Sequence, residues 1–260
     1  MRAAIEAFTA AGSPQQRLWV EVHCALDLSL LGAYEEAERL LAGALREPGS
    51  GAELRLVASV AMYTLAGIRA AEGRLDEARF EVSRMIAAEH ALGNAYLEGL
   101  GRVTLARVFR KMKDLASASA EANAAIALLS MVPFDHAMAC AELAMARLAE
   151  GQHAEALALS REAYRRVLAT PGYGEAAVRL AHAEALLAAG ASAEARGVLG
   201  EARRRLLERA ERITDPALRR TFLERVPDNA RTLALAEQEL GPPRETRESG
   251  APPHPGAGAP

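Results

Sequence analysis

The sequence predicts an all-α protein, an α-solenoid of five helical hairpins completed by a closing helical pair. Three observations carry this expectation. First, a turn recurs. Leu31-Gly32-Ala33-Tyr34-Glu35-Glu36-Ala37 is followed by Ala71-Glu72-Gly73-Arg74-Leu75-Asp76-Glu77-Ala78 and by the degenerate Met112-Lys113-Asp114-Leu115-Ala116-Ser117-Ala118. Two further copies surround Gly151 and Gly190. The turn positions Gly32, Gly73, Lys113, Gly151 and Gly190 are separated by 41, 40, 38 and 39 residues. Second, two columns hold alanine in every copy. They are Ala25, Ala66, Ala106, Ala144 and Ala183 before the turn, and Ala37, Ala78, Ala118, Ala156 and Ala195 after it. A column of alanines marks a place where two helices cross closely and a larger side chain would overpack. Third, the chain is 50% hydrophobic but only 4% aromatic, with its apolar content carried by the helix formers Ala and Leu.

The elements follow in order. Residues 1–13 are expected to form one short helix, ended by Gly12 and Ser13 ahead of Pro14. It has no partner helix before it and reads as half of an upstream repeat. Residues 14–213 form the array. At four of the five turns, glycine supplies the positive φ that stops a helix. The acidic residue that follows (Glu35, Asp76, Glu155 or Glu194) falls in the first turn of the next helix, where it complements the dipole. Pro48-Gly49-Ser50-Gly51 and Pro171-Gly172-Tyr173-Gly174 break the chain after the first and fourth hairpins. The helix through Arg203 and Ile213 carries many arginines. They are interleaved with Glu201, Glu208 and Glu211, which reads as a solvated, ion-paired face. Residues 214–240 start on Asp215-Pro216, with proline at the first helical position, and restart at Pro227. They form the closing pair that covers the last apolar face. Residues 241–260 hold only Pro, Gly, Ala and polar groups and are expected to be disordered.

The small residue in the first helix, the glycine at the turn and the alanine early in the second helix resemble the tetratricopeptide repeat. The family unit is about 34 residues, and the units here are about five residues longer. Of the family's aromatic and terminal proline positions, only Tyr34 and Pro48 have counterparts. HEAT-type repeats, at about 40–47 residues, are the second choice of fold. They lack a regular Gly-x-x-x-Glu-Ala turn. The tetratricopeptide resemblance implies a right-handed solenoid that binds a protein or peptide. The stretch Asp215–Leu233 is similar to the end of the repeat region in multidomain serine/threonine protein kinases and ATPase-type regulators of the myxobacterial kind. That implies a non-catalytic regulatory module, whose partner is another protein or an upstream domain of the same protein. A free-standing adaptor and a small enzyme on a helical scaffold are the alternatives.

No catalytic residue and no cofactor is expected. The sequence has no phosphate loop, dinucleotide fingerprint, nucleophile elbow, His-Glu-x-x-His or kinase signature. Cys24 and Cys140 are far apart and show no metal spacing. Cys24 and His182 directly precede column alanines, where the other copies carry Leu65, Leu105 and Leu143, so both read as core positions. The net charge of −3 gives no field that favours nucleic acid or an anionic membrane. There is no uncharged apolar run of membrane-spanning length, and a cytoplasmic protein is expected. Counting along the helix face away from the packing alanines gives a candidate partner groove: Trp19, Tyr63, Leu100, Arg107, Arg110, Lys111 and Met145. It is mostly apolar with one basic spot, suited to a peptide or a helix. Lys111 and Lys113 are the only lysines among 31 basic residues.

Overall fold

A computed structural model describes residues 14–46, 51–170, 172 and 174–241. Within them the protein is all-helical, with twelve helices and no strand. These are α1 (Pro14–Leu30), α2 (Tyr34–Arg46), α3 (Ala52–Ala71), α4 (Leu75–Ala91), α5 (Ala95–Lys111) and α6 (Leu115–Leu128). They continue with α7 (Pro133–Ala149), α8 (His153–Ala169), α9 (Glu175–Ala188), α10 (Ser192–Glu211), α11 (Pro216–Glu224) and α12 (Pro227–Leu240). The expected helix at 1–13, most of the break at 48–51, Pro171, Tyr173 and the tail after Gly241 lie outside the described residues.

The five turns marked in the sequence share one stop. Gly32, Gly73, Gly151 and Gly190 have φ of 75°, 80°, 78° and 79°, and Lys113 adopts 68° in the same place. The residue after each donates its N–H five residues back, as in Ala33 to the Leu28 carbonyl at 2.9 Å and Asp114 to the Phe109 carbonyl at 3.0 Å. This is the Schellman closure, which satisfies carbonyls left over at a helix end. Gly93, with φ 68°, makes the same stop between α4 and α5, where the 38–41-residue spacing of the turns places none.

Packing follows the alanine columns. All ten column alanines are at most 1% exposed. α1, α3, α5, α7 and α9 pack successively side by side, and α2, α4, α6, α8 and α10 sit between them as a second layer. At one end Leu18, Val22, Leu41, Val57 and Ile68 form a large cluster. At the other, Leu180, Leu186, Leu199 and Leu235 form another. Between these ends the core is thinner and rich in alanine. One described helix, over Glu53–Ala71 in α3, is long and apolar enough to cross a membrane by length and composition, and half of it is buried inside the protein.

α12 lies against α9 and α10, burying Leu235 and Ala236. α11 begins on Asp215, whose carboxylate caps the Ala217 and Leu218 N–H groups at 2.7 and 3.2 Å. Its far end meets the turn between α1 and α2. Thr221 Oγ1 donates to the Leu31 carbonyl at 2.7 Å, and the Tyr34 hydroxyl donates to the Arg225 carbonyl at 3.1 Å. The Arg225 guanidinium takes both oxygens of Glu35, at 2.7 and 2.8 Å, and lies 4.9 Å from the centre of the Tyr34 ring. Helices about 190 residues apart in sequence are therefore joined.

Candidate functional site

The site grows from two neighbouring helices of the first layer. Arg107, Arg110 and Lys111 stand three and four residues apart on α5, so they share one face. On α7, Glu142 and Met145 repeat that spacing, and Leu148 extends it. Where the helices adjoin, Glu142 is 5% exposed and takes a hydrogen bond from each arginine. Arg107 Nε donates at 2.6 Å and Arg110 Nη2 at 3.0 Å. Burial by itself would raise the Glu142 carboxyl, but the two guanidinium groups outweigh it and hold the acid below the usual carboxylate range. From α12, Asp228 approaches Arg107 at 3.5 Å.

The lysines are placed differently. Lys111 Nζ donates to the Ala70 carbonyl, at the end of α3, at 2.6 Å. Burial, then repulsion from Arg107, lowers its pKa below the ordinary lysine value. Lys113 is exposed on the left-handed turn that follows α5. No ion pair reaches either ammonium among the described residues.

Two spaces open beside these groups. A small cavity of about 20 Å³ lies between Arg110, Glu142, Met145, Leu180 and Asp228. Beside it, sharing Arg110 and Met145, a trough of about 350 Å³ is lined by Arg110, Lys111, Lys113, Met145, Leu148 and Ala149. It has a cationic side and an aliphatic side. Such a surface can hold an acidic polypeptide segment by charge and apolar contact.

No family model and no curated protein matches the chain.

Of the groove residues read from the sequence, Arg107, Arg110, Lys111 and Met145 come together here. Trp19 stands apart on α1, 40% exposed, with its ring 4.2 Å from that of His23. Tyr63 and Leu100 are half-buried against Met62, Met85 and Leu97, short of the trough. The arginines of the basic spot are tied to Glu142, so the charge left for a ligand belongs to the lysines. Sequence reasoning missed Glu142 and Asp228. Glu142 left a signal, as the only charged residue in the apolar run Ala137–Ala146. Asp228 left none, because its contact joins segments over a hundred residues apart.

The groups with nucleophilic potential sit in quiet surroundings. His182 is 2% exposed, 3.1 Å from Ser160 Oγ, and stacked at 4.8 Å on Tyr164. Burial lowers its pKa. Cys140 Sγ is 3.5 Å from His136 Nδ1. Burial raises the thiol and lowers the imidazole, which favours neutral partners over a thiolate–imidazolium pair. Cys24 departs from its expected core position, being only half-buried on α1. Among the described residues no three His, Cys, Asp or Glu side chains are grouped to hold a metal ion.

Proposed function

We propose that this protein is a non-catalytic protein–protein interaction module. The helices α1–α10 are read as five tetratricopeptide-like hairpins in a right-handed solenoid, with α11 and α12 as the closing pair. The observation that carries the reading is the trough on α5 and α7, where two lysines without carboxylate partners face an aliphatic wall. A ligand of protein origin matches both sides. The resemblance of Asp215–Leu233 to kinase- and ATPase-associated repeat regions supports a regulatory role next to such a domain, in the same chain or in another one. An in-frame kinase or ATPase domain in the DNA upstream of Met1 would establish the first arrangement.

The test places a photo-crosslinking residue at Leu148 in the trough and, separately, at Phe80, which is 60% exposed on α4. Crosslinking in cell extract should give a discrete polypeptide adduct from position 148 and not from position 80. Equal adducts, or none, would move the interaction away from this face.

A further inference from the structure

The third turn breaks the pattern of its neighbours. Four turns stop with glycine at φ near 75–80°, and the cost of that conformation to glycine is small. Lys113 holds φ 68° with a full side chain. A non-glycine residue in the left-handed region is strained, and such strain persists where the surrounding structure or function retains it. No hydrogen bond or ion pair of the Lys113 side chain repays it among the described residues. Lysine is also scarce. The chain has only two, against 29 arginines, and both line the same trough.

The neighbouring charges explain what a second lysine adds. Glu142 is shared by Arg107 and Arg110, and Asp228 lies on Arg107. Two carboxylates thus answer two guanidinium groups, and the two ammonium groups remain in excess. Resting on the reading of this face as a docking site, we infer that the trough binds the carboxylates of an acidic peptide segment. Lys111 and Lys113 receive the charge, and Met145 and Leu148 receive an adjoining aliphatic side chain. A peptide fits better than a nucleic acid for two reasons. No aromatic side chain lines the trough for base stacking. The Met145 and Leu148 wall also suits an aliphatic side chain and has no counterpart on a sugar–phosphate backbone.

The test uses the full chain and a fluorescein-labelled peptide of alternating leucine and glutamate, read by fluorescence polarisation at low salt. A peptide with glutamine for glutamate is the control, and a single-stranded oligonucleotide is the competitor. Lys113→Gly restores the glycine of the other turns, so it should melt about 2–4 °C higher. It should nevertheless bind the acidic peptide about threefold to tenfold more weakly, while Lys113→Arg retains binding. The glutamine peptide should not bind. Equal affinity of wild type and Lys113→Gly overturns the proposal, as does equal affinity for the glutamine peptide. Displacement by the oligonucleotide at lower concentration than by unlabelled peptide would assign the trough to phosphates instead. Absence of peptide binding refutes the ligand class alone, because the Leu148 crosslink decides the docking face separately.

Discussion

At the scale of single residues, glycines that look equivalent in the sequence do different work. Gly32 and Gly151 both hold positive φ, but a Cβ at Gly32 would stand 2.6 Å from the Thr221 carbonyl oxygen, whereas one at Gly151 would meet open space. Gly151→Ala should cost about 1 kcal/mol for the left-handed backbone alone. Gly32→Ala adds a clash with backbone and should cost about 2–4 kcal/mol. Urea denaturation of the two variants measures the difference, and equal losses would mean that α11 does not press on this turn. The glycines and the column alanines were legible in the sequence because backbone sign and side-chain volume are local demands, repeated at each copy. The extra demand on Gly32 was not, because its source lies 189 residues away.

At the scale of elements, α5 and α7 are joined through a buried carboxylate as well as through apolar contact. Removing one member of such a group leaves the others desolvated and unmatched. Glu142→Ala should therefore cost about 3–5 kcal/mol, although it only shortens a side chain, and Arg107 keeps Asp228 as a weaker partner. Equilibrium unfolding in urea checks the size of the loss. A loss below about 1 kcal/mol would mean that the three charges are hydrated. It follows that reversing Arg107 and Arg110 to glutamate tests stability more than binding, since three carboxylates would then crowd one buried spot. The sequence placed these arginines on one face from helical spacing alone. It could not pair them, because the pairing depends on how one helix is set against the next. Ion pairing along α10 was readable for the opposite reason: Arg204 meets Glu201 and Glu208 within a single helix.

At the scale of the whole molecule, the contact of α11 with the α1–α2 turn is the longest-range link described. Its most exposed part is the pair of Glu35 with Arg225. The hydrogen bond from Arg225 holds the Glu35 carboxyl at about 2, below its ordinary 4.5. A depressed acid stabilises the fold fully above its unfolded value. The contribution here is complete above pH 4.5 and is lost as pH falls from there to about 2. Because the pair is solvent-exposed, it is worth at most about 1 kcal/mol. The stability difference between wild type and Glu35→Gln, measured in urea from pH 7 to 3, should be constant at first and shrink below pH 4.5. A difference that ignores pH would show that the pair contributes nothing. Tyr34 beneath it is pushed up to about 12, first by burial and against the pull of Arg225, so it stays a neutral donor throughout that range.

The Thr221 and Arg225 contacts with Leu31, Tyr34 and Glu35 also act as a length gauge. An open stack of helices can gain or lose a unit by duplication or deletion and stay whole, since each unit touches only its neighbours. Here, adding one helix pair between α2 and α9 would carry α11 past the first turn. Removing one would leave it short. In either case Thr221 and Arg225 would lose their partners, and Gly32 would be a glycine with nothing pressed against it. Changes in the number of helix pairs are therefore penalised at the two ends together, however well each new pair folds.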